Sequence, residues 1–368
     1  MSDLARPNVM KVEPYVPGKP IEEVERELGL TNVVKLASNE NPLGPSPKAM
    51  EAVKNAIERM HIYPDGAAFE FKKALAQHFD LPTNYFFPAN GSDEIIQFMG
   101  LAYLCPDDEV VIAEPSFARY YAVAGLNDVK EHRVPLTPDL RHDLKAMRAK
   151  INEKTKLVYI ANPNNPTGTI VTDEEFKVFM SNLPPRTIVV FDEAYREFAE
   201  DKNYPQSLPY IETHNIIVLR TMSKAYGLAG IRVGYGIARP ELLEPMEHVR
   251  EPFNVNSIAQ IAAVAALGDK DHLKCTVELN SRGKRYLYDA LRRMGVKYAP
   301  TEANFVLIDT EMDGKVVYDA LLRKGVIVRP CTSFGLPSYL RVSIGTPAEN
   351  ELFIAAFKDV LATLPETQ

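Results

Sequence analysis

Thr221-Met222-Ser223-Lys224-Ala225-Tyr226-Gly227-Leu228-Ala229-Gly230-Ile231-Arg232-Val233-Gly234 follows, after Arg220, the β-branched apolar run Asn215-Ile216-Ile217-Val218-Leu219. A run of that kind forms a buried strand. Lys224 therefore stands where a strand ends and a Gly-rich turn begins, the place where open α/β sheets gather their chemistry. Taken alone, such a lysine reads as a solvated loop cation. Its company argues otherwise: hydroxyls at Thr221 and Ser223 precede it, and Arg232 lies eight positions on. Hydroxyls with a guanidinium describe a phosphate site. An amine beside one points to a phosphorylated carbonyl compound held as an imine.

Working outward, other strand ends carry polar groups of the same kind. Leu157 to Ile160 runs into Asn162-Pro163-Asn164-Asn165-Pro166-Thr167-Gly168, a loop richer in amides than a turn requires. Thr187 to Phe191 ends in Asp192-Glu193-Ala194-Tyr195. An acid at the carboxyl end of a buried strand is expensive to desolvate, so Asp192 is expected to find a cationic partner. Glu109 to Ile112 ends in Glu114-Pro115-Ser116-Phe117-Ala118-Arg119-Tyr120-Tyr121, whose aromatics read by composition as core packing. Gly91-Ser92-Asp93 precedes the apolar helix Ile95 to Leu104; a helix cap explains it, and free N–H groups offered to a phosphate explain it equally. These strand ends recur roughly every thirty residues with helices between, the period of βαβ units. A mostly parallel sheet results, with Asn165, Asp192 and Lys224 on its carboxyl edge.

The flanks differ. Residues 1–35 are Pro-rich and then charged, an extended arm followed by a short helix from Ile21 to Leu28. Val33 to Leu36 is a short strand opening the Asn39-Glu40-Asn41 loop, where turn formation alone accounts for the amides. Pro47 to Met60 and Phe69 to Phe79 read as helices around a Tyr63-Pro64-Asp65-Gly66 turn. A large unit spans 36–269, and a smaller α+β unit follows over 270–368. Arg329 and Arg341 flank the Cys331-Thr332-Ser333-Phe334-Gly335 loop. An arginine inside the apolar strand around Arg341 either pairs with a carboxylate or faces a cleft.

Composition excludes several classes. The net charge of −7, with acids and bases interspersed over 368 residues, argues against a nucleic-acid surface. Three distant cysteines indicate neither a disulfide framework nor a zinc site. The expectation is a cytoplasmic protein with no signal peptide and no membrane span.

Together these motifs carry a resemblance. SNENPLGPSP, YPDG, NGSDE, NPNNPTG, FDEAY, TMSKAYGLAGIRVGYG and LRVSIGT, in this order, are similar to the fold-type I pyridoxal-phosphate aminotransferases, and within them to the histidinol-phosphate branch. The resemblance implies an α/β fold whose large domain holds a mostly parallel seven-stranded sheet, with a smaller C-terminal α+β domain. It implies pyridoxal 5′-phosphate bound covalently by Lys224. Asp192 would pair with the pyridine nitrogen, Asn165 and Tyr195 would bond the ring oxygen, and Phe117 would stack on the ring. Gly91, Ser92, Asp93, Thr221, Ser223 and Arg232 would form the phosphate cup. Tyr63 would reach the phosphate of a neighbouring subunit, implying a homodimer with shared sites. Substrate contacts would come from Tyr15, Asn39, Tyr120, Arg329 and Arg341. The implied reaction exchanges an amino group between L-histidinol phosphate and 2-oxoglutarate. An aromatic amino-acid aminotransferase and a threonine-phosphate decarboxylase share the cofactor residues and stand as alternatives. A nicotinamide dehydrogenase does not fit, because GLAGIRVGYG lacks the GxGxxG spacing.

Overall fold

Val110 to Ala113, Leu157 to Ile160, Val189 to Phe191 and Ile216 to Leu219 are apolar at every position and buried throughout. Strands of this kind are covered on both faces, as parallel sheets demand. The computed structural model, which describes residues 4–14 and 18–364, places them in a seven-stranded sheet. Across the sheet the order is Phe86–Ala89, Gly234–Ile237, Ile216–Thr221, Ile188–Asp192, Thr155–Ala161, Glu109–Glu114 and Lys130–Pro135. Gly234–Ile237 runs antiparallel to both neighbours, and the pairs from Ile216–Thr221 to Lys130–Pro135 are parallel.

The period of two residues in a strand divides the core in half. Val111, Val158, Val189, Phe191, Ile216 and Val218 face a cluster closed by helices Phe69–Phe79, Asp173–Met180 and Ser257–Leu267. Val110, Ile112, Tyr159, Val190, Ile217 and Leu219 face a second one, closed by helices Ser92–Tyr103, Ala118–Leu126 and Pro240–Glu247. Helix layers thus sandwich the sheet.

The C-terminal layer is a four-stranded antiparallel sheet ordered Arg329–Pro330, Tyr339–Ser343, Phe305–Asp309, Lys297–Ala299. Residues near the N-terminus join it. Val24, from helix Ile21–Leu28, packs with Leu36, Ala37, Leu287, Val342 and Phe353 in one core. Val34–Lys35 pairs in parallel with Val326–Ile327. Residues 21–37, which the sequence divides between an arm and the large unit, therefore share their burial with the C-terminal sheet.

Candidate active site

The parallel strands deliver their last residues to one edge, where a cavity of about 480 Å³ opens between the large sheet and the C-terminal layer. Asn39, Ser92, Asp93, Phe117, Tyr120, Asn165, Asp192, Tyr195, Thr221, Ser223, Lys224, Arg232, Arg329 and Arg341 all line it. Gly91 stands just behind, as the residue preceding helix Ser92–Tyr103. Tyr15 lies outside the described residues. Tyr63 does not line the cavity of its own chain; it is 79% exposed and stacked on Phe253 with ring centroids 4.8 Å apart.

One wall gathers donors of the kind that suit an anion. Helix Ser92–Tyr103 begins at Ser92 itself, so Ser92 and Asp93 lie in its first turn rather than ahead of it, and no side chain caps it. Its leading N–H groups are left to other acceptors. Arg232, at φ 57°, donates from Nη1 to Ser223 Oγ at 3.2 Å and to the Ala229 carbonyl at 3.1 Å. A Cβ on Gly91 would come within 2.7 Å of Arg232 Nη2. Only glycine lets the guanidinium and the helix start meet so closely. Thr221 Oγ1 accepts the Ser223 N–H at 3.1 Å and shapes the turn before the lysine.

The amine and the carboxylate opposite are both displaced from their ordinary titration ranges. Lys224 Nζ donates to the Ser38 carbonyl at 3.1 Å. Burial first, and the Arg341 guanidinium second, lower its pKa to about 8. No cation of the protein pairs with Asp192 among the described residues. Its Oδ2 accepts the Tyr120 hydroxyl at 2.7 Å and its Oδ1 the Ala194 N–H at 3.0 Å. Burial raises its carboxyl to about 6 against the pull of those two donors. Tyr120 is fully buried, so its first partner is this carboxylate.

The remaining wall comes from the C-terminal layer. Arg341, in the centre of its sheet, donates to Asn165 Oδ1 at 2.5 Å and to the Ala37 carbonyl at 2.8 Å. With its oxygen turned to Arg341, the Asn165 amide keeps its NH₂ as a donor. The Tyr195 hydroxyl accepts from Asn39 Nδ2 at 3.0 Å, which leaves its own hydrogen to give. Arg329 sits opposite Arg341 on the adjacent strand. Sequence reasoning passed over Arg119 and Ser38, which also line the cavity. Arg119 stood inside the quoted EPSFARYY stretch, where its charge among aromatics was the available signal.

Residues 31–357 match the family described as aminotransferase class I and II. The chain belongs to that family. Over 97% of its length it is 49% identical to the histidinol-phosphate aminotransferase of Moorella thermoacetica, covering 93% of that protein. It is 48% identical to the enzyme of the same name from Symbiobacterium thermophilum, over 97% of this chain and 98% of the other. The crystal structure of histidinol-phosphate aminotransferase from Sinorhizobium meliloti in complex with pyridoxal-5′-phosphate superposes with a TM-score of 0.88 at 28% identity, covering 97% of each chain. The aminotransferase fold is thus a large α/β domain with a mostly parallel sheet joined to a smaller antiparallel one.

The residues present suit that cofactor. A buried carboxylate without a cation from the protein matches a protonated ring nitrogen. A helix start whose N–H groups have no side-chain cap, beside a serine and an arginine, matches a phosphate. A lysine of lowered pKa matches an aldehyde.

Proposed function

We propose that the protein transfers the amino group of L-histidinol phosphate to 2-oxoglutarate with pyridoxal 5′-phosphate as cofactor, giving imidazole-acetol phosphate and L-glutamate. The observation that carries the chemistry is the pairing, in one cavity, of an amine with pKa about 8 and a cation-less buried carboxylate. When bound, pyridoxal phosphate supplies an electron sink for the bonds of the substrate's α-carbon. Asp192, ionised above about pH 6, holds the proton on the pyridine nitrogen. Asn165 and Tyr195 donate to the ring oxygen, and Phe117 offers an aromatic face. Ser223, Arg232 and the main-chain N–H groups at the start of helix Ser92–Tyr103 hold the phosphate. Lys224, neutral above about pH 8, removes the α-proton as general base.

Arg341, with Arg329 beside it, grips the substrate's anionic end. A guanidinium fork accepts a carboxylate or a phosphate ester with the same geometry, which suits glutamate and histidinol phosphate in turn. A substrate panel on the purified protein tests this reading. Histidinol phosphate should give the highest kcat/KM, ahead of phenylalanine and threonine phosphate; no turnover of histidinol phosphate overturns it.

We also assign a homodimer and the cytoplasm, the latter suited by three free cysteines. Met50, Ile57, Met60, Ile62 and Phe69 are large apolar side chains left exposed in the segment that carries Tyr63, and the exposed Phe253 stacks on Tyr63. Exposed apolar side chains concentrated on one segment suit a second copy of the chain. Sedimentation equilibrium should return twice the chain mass.

A further inference from the structure

Between strand Val34–Lys35 and the Asn39 loop, four successive carbonyls are each taken by a different donor. The Leu36 oxygen accepts the Ser343 N–H at 2.8 Å, and Ala37 accepts Arg341 Nη2 at 2.8 Å. Ser38 accepts Lys224 Nζ at 3.1 Å, and Asn39 accepts Asn304 Nδ2 at 3.0 Å. Three of the four donors belong to the C-terminal layer and the fourth is the reactive amine. This segment is therefore pinned between the two parts of the molecule.

Asn39 ends it in the left-handed region at φ 56° and is buried to 1% exposure. That conformation is uncommon outside glycine and is tolerated best by Asn and Asp. Ser343 holds it there on two sides. Its Oγ accepts the Asn39 main-chain N–H at 2.8 Å, and its hydroxyl hydrogen goes to Asn39 Oδ1 at 3.0 Å. The side-chain amide then has one orientation, oxygen towards Ser343 and NH₂ towards the Tyr195 hydroxyl at 3.0 Å. A flipped amide would present its oxygen to Tyr195 and draw the phenolic hydrogen to itself.

We propose that Ser343, acting through Asn39, is a positioning residue that aims the Tyr195 hydroxyl hydrogen into the cavity, so that the C-terminal sheet controls one donor to the cofactor's ring oxygen. The inference rests on the reading that Tyr195 donates to that oxygen. It moves Asn39 from substrate binding to the support of a cofactor contact. Asn304 completes the support: its main chain accepts the Ile344 N–H while its amide holds Asn39. The layers thus communicate through hydrogen-bond direction as well as through packing, since the Tyr195 ring also meets Phe305 edge-on at 5.2 Å.

The test is a pH titration of the visible absorbance of the holoenzyme, which follows deprotonation of the cofactor's ring-oxygen and nitrogen pair. A donor to the oxygen favours the deprotonated form, so its loss raises the midpoint. Tyr195→Phe should shift the midpoint upward by about one pH unit. Ser343→Ala should shift it in the same direction by a substantial part of that, Ser343→Thr should restore it, and Ser343→Ala should add nothing in the Tyr195→Phe background. Asn39→Asp keeps the left-handed backbone while replacing the NH₂ by an acceptor, and should raise the midpoint at least as far as Ser343→Ala. It also serves if Ser343→Ala does not fold. A midpoint moved by Tyr195→Phe but by neither Ser343→Ala nor Asn39→Asp overturns the relay alone. A midpoint unmoved by Tyr195→Phe overturns the placement of Tyr195, and the relay with it.

Discussion

Asp192 and Glu193 are consecutive, both acidic and both almost fully buried at 4% and 1% exposure, Asp192 closing strand Ile188–Asp192 and Glu193 following it. Strand pleating sends them to opposite faces of the sheet. On the Glu193 face, Arg220 donates from Nε to Glu193 Oε2 at 2.8 Å and from Nη1 to Glu197 Oε1 at 3.2 Å. That guanidinium costs a large desolvation, yet its two carboxylates hold it firmly charged. On the Asp192 face the fold provides a phenol and one amide N–H and stops there. The same chemical group at the same depth is neutralised by the protein's own cation on one side and, among the described residues, by none on the other. A buried charge is ordinarily neutralised by its own chain; where it is not, the missing partner specifies what binds.

The sharpest break in this comparison would come from the amine that shares the cavity with Asp192. Lys224→Ala should abolish turnover and remove the visible absorbance of the holoenzyme, and a variant that still cycles normally would contradict its assignment. Asp192→Asn should retain the cofactor while slowing exchange of the substrate's α-proton, followed by loss of deuterium label, by roughly 10²–10³-fold. Near-normal exchange would mean that the missing cation is not the ring nitrogen. Arg341→Ala should raise KM for histidinol phosphate by roughly 10²-fold with little change in the cofactor's Kd; equal losses in both would move Arg341 out of the substrate pocket. The Glu193 face should answer differently. Arg220→Met leaves two carboxylates buried without their cation, and chemical denaturation should register a loss of about 3–5 kcal/mol, with turnover per folded molecule nearly unchanged. Last, covalent capture of pyridoxal phosphate by the apoprotein should speed up as pH rises through about 8, because deprotonation makes the nucleophile. A midpoint near the ordinary lysine value of ~10.4 would show that burial does not tune this amine.

Much of the site was legible because strand ends announce themselves. Apolar runs followed by Asn165, Asp192 or Lys224 need only the rule that open α/β sheets use their carboxyl edge. Helices Ile21–Leu28 and Phe69–Phe79 have the bounds read from periodicity and flanking turns. Strands at the margins were harder. Phe86–Ala89 contains Pro88, and Lys130–Pro135 is mostly polar, as suits the two edges of the sheet. Gly234–Ile237 carries glycine at alternate positions. At Gly234 a Cβ would lie 2.8 Å from the Gly91 carbonyl carbon and the Ser92 nitrogen, so the strand gives up propensity to let the start of helix Ser92–Tyr103 approach. The protein donors to Asp192 were not legible for a different reason. Burial predicts that a carboxylate wants compensation, but no pattern in one dimension says that Tyr120 reaches it from another helix.

The parallel pairing of Val34–Lys35 with Val326–Ile327 also bears on how the molecule is made. During synthesis the first strand leaves the ribosome with its hydrogen-bonding partner still almost the whole chain away. Contacts of such high sequence separation are entropically expensive and form late. The central sheet can assemble in the meantime from local βαβ units, whereas the roof over the cavity waits for the last translated elements. Catalytic competence therefore requires the layer that begins at strand Lys297–Ala299, and a product truncated before it, with an ordered central sheet, is expected to be inert.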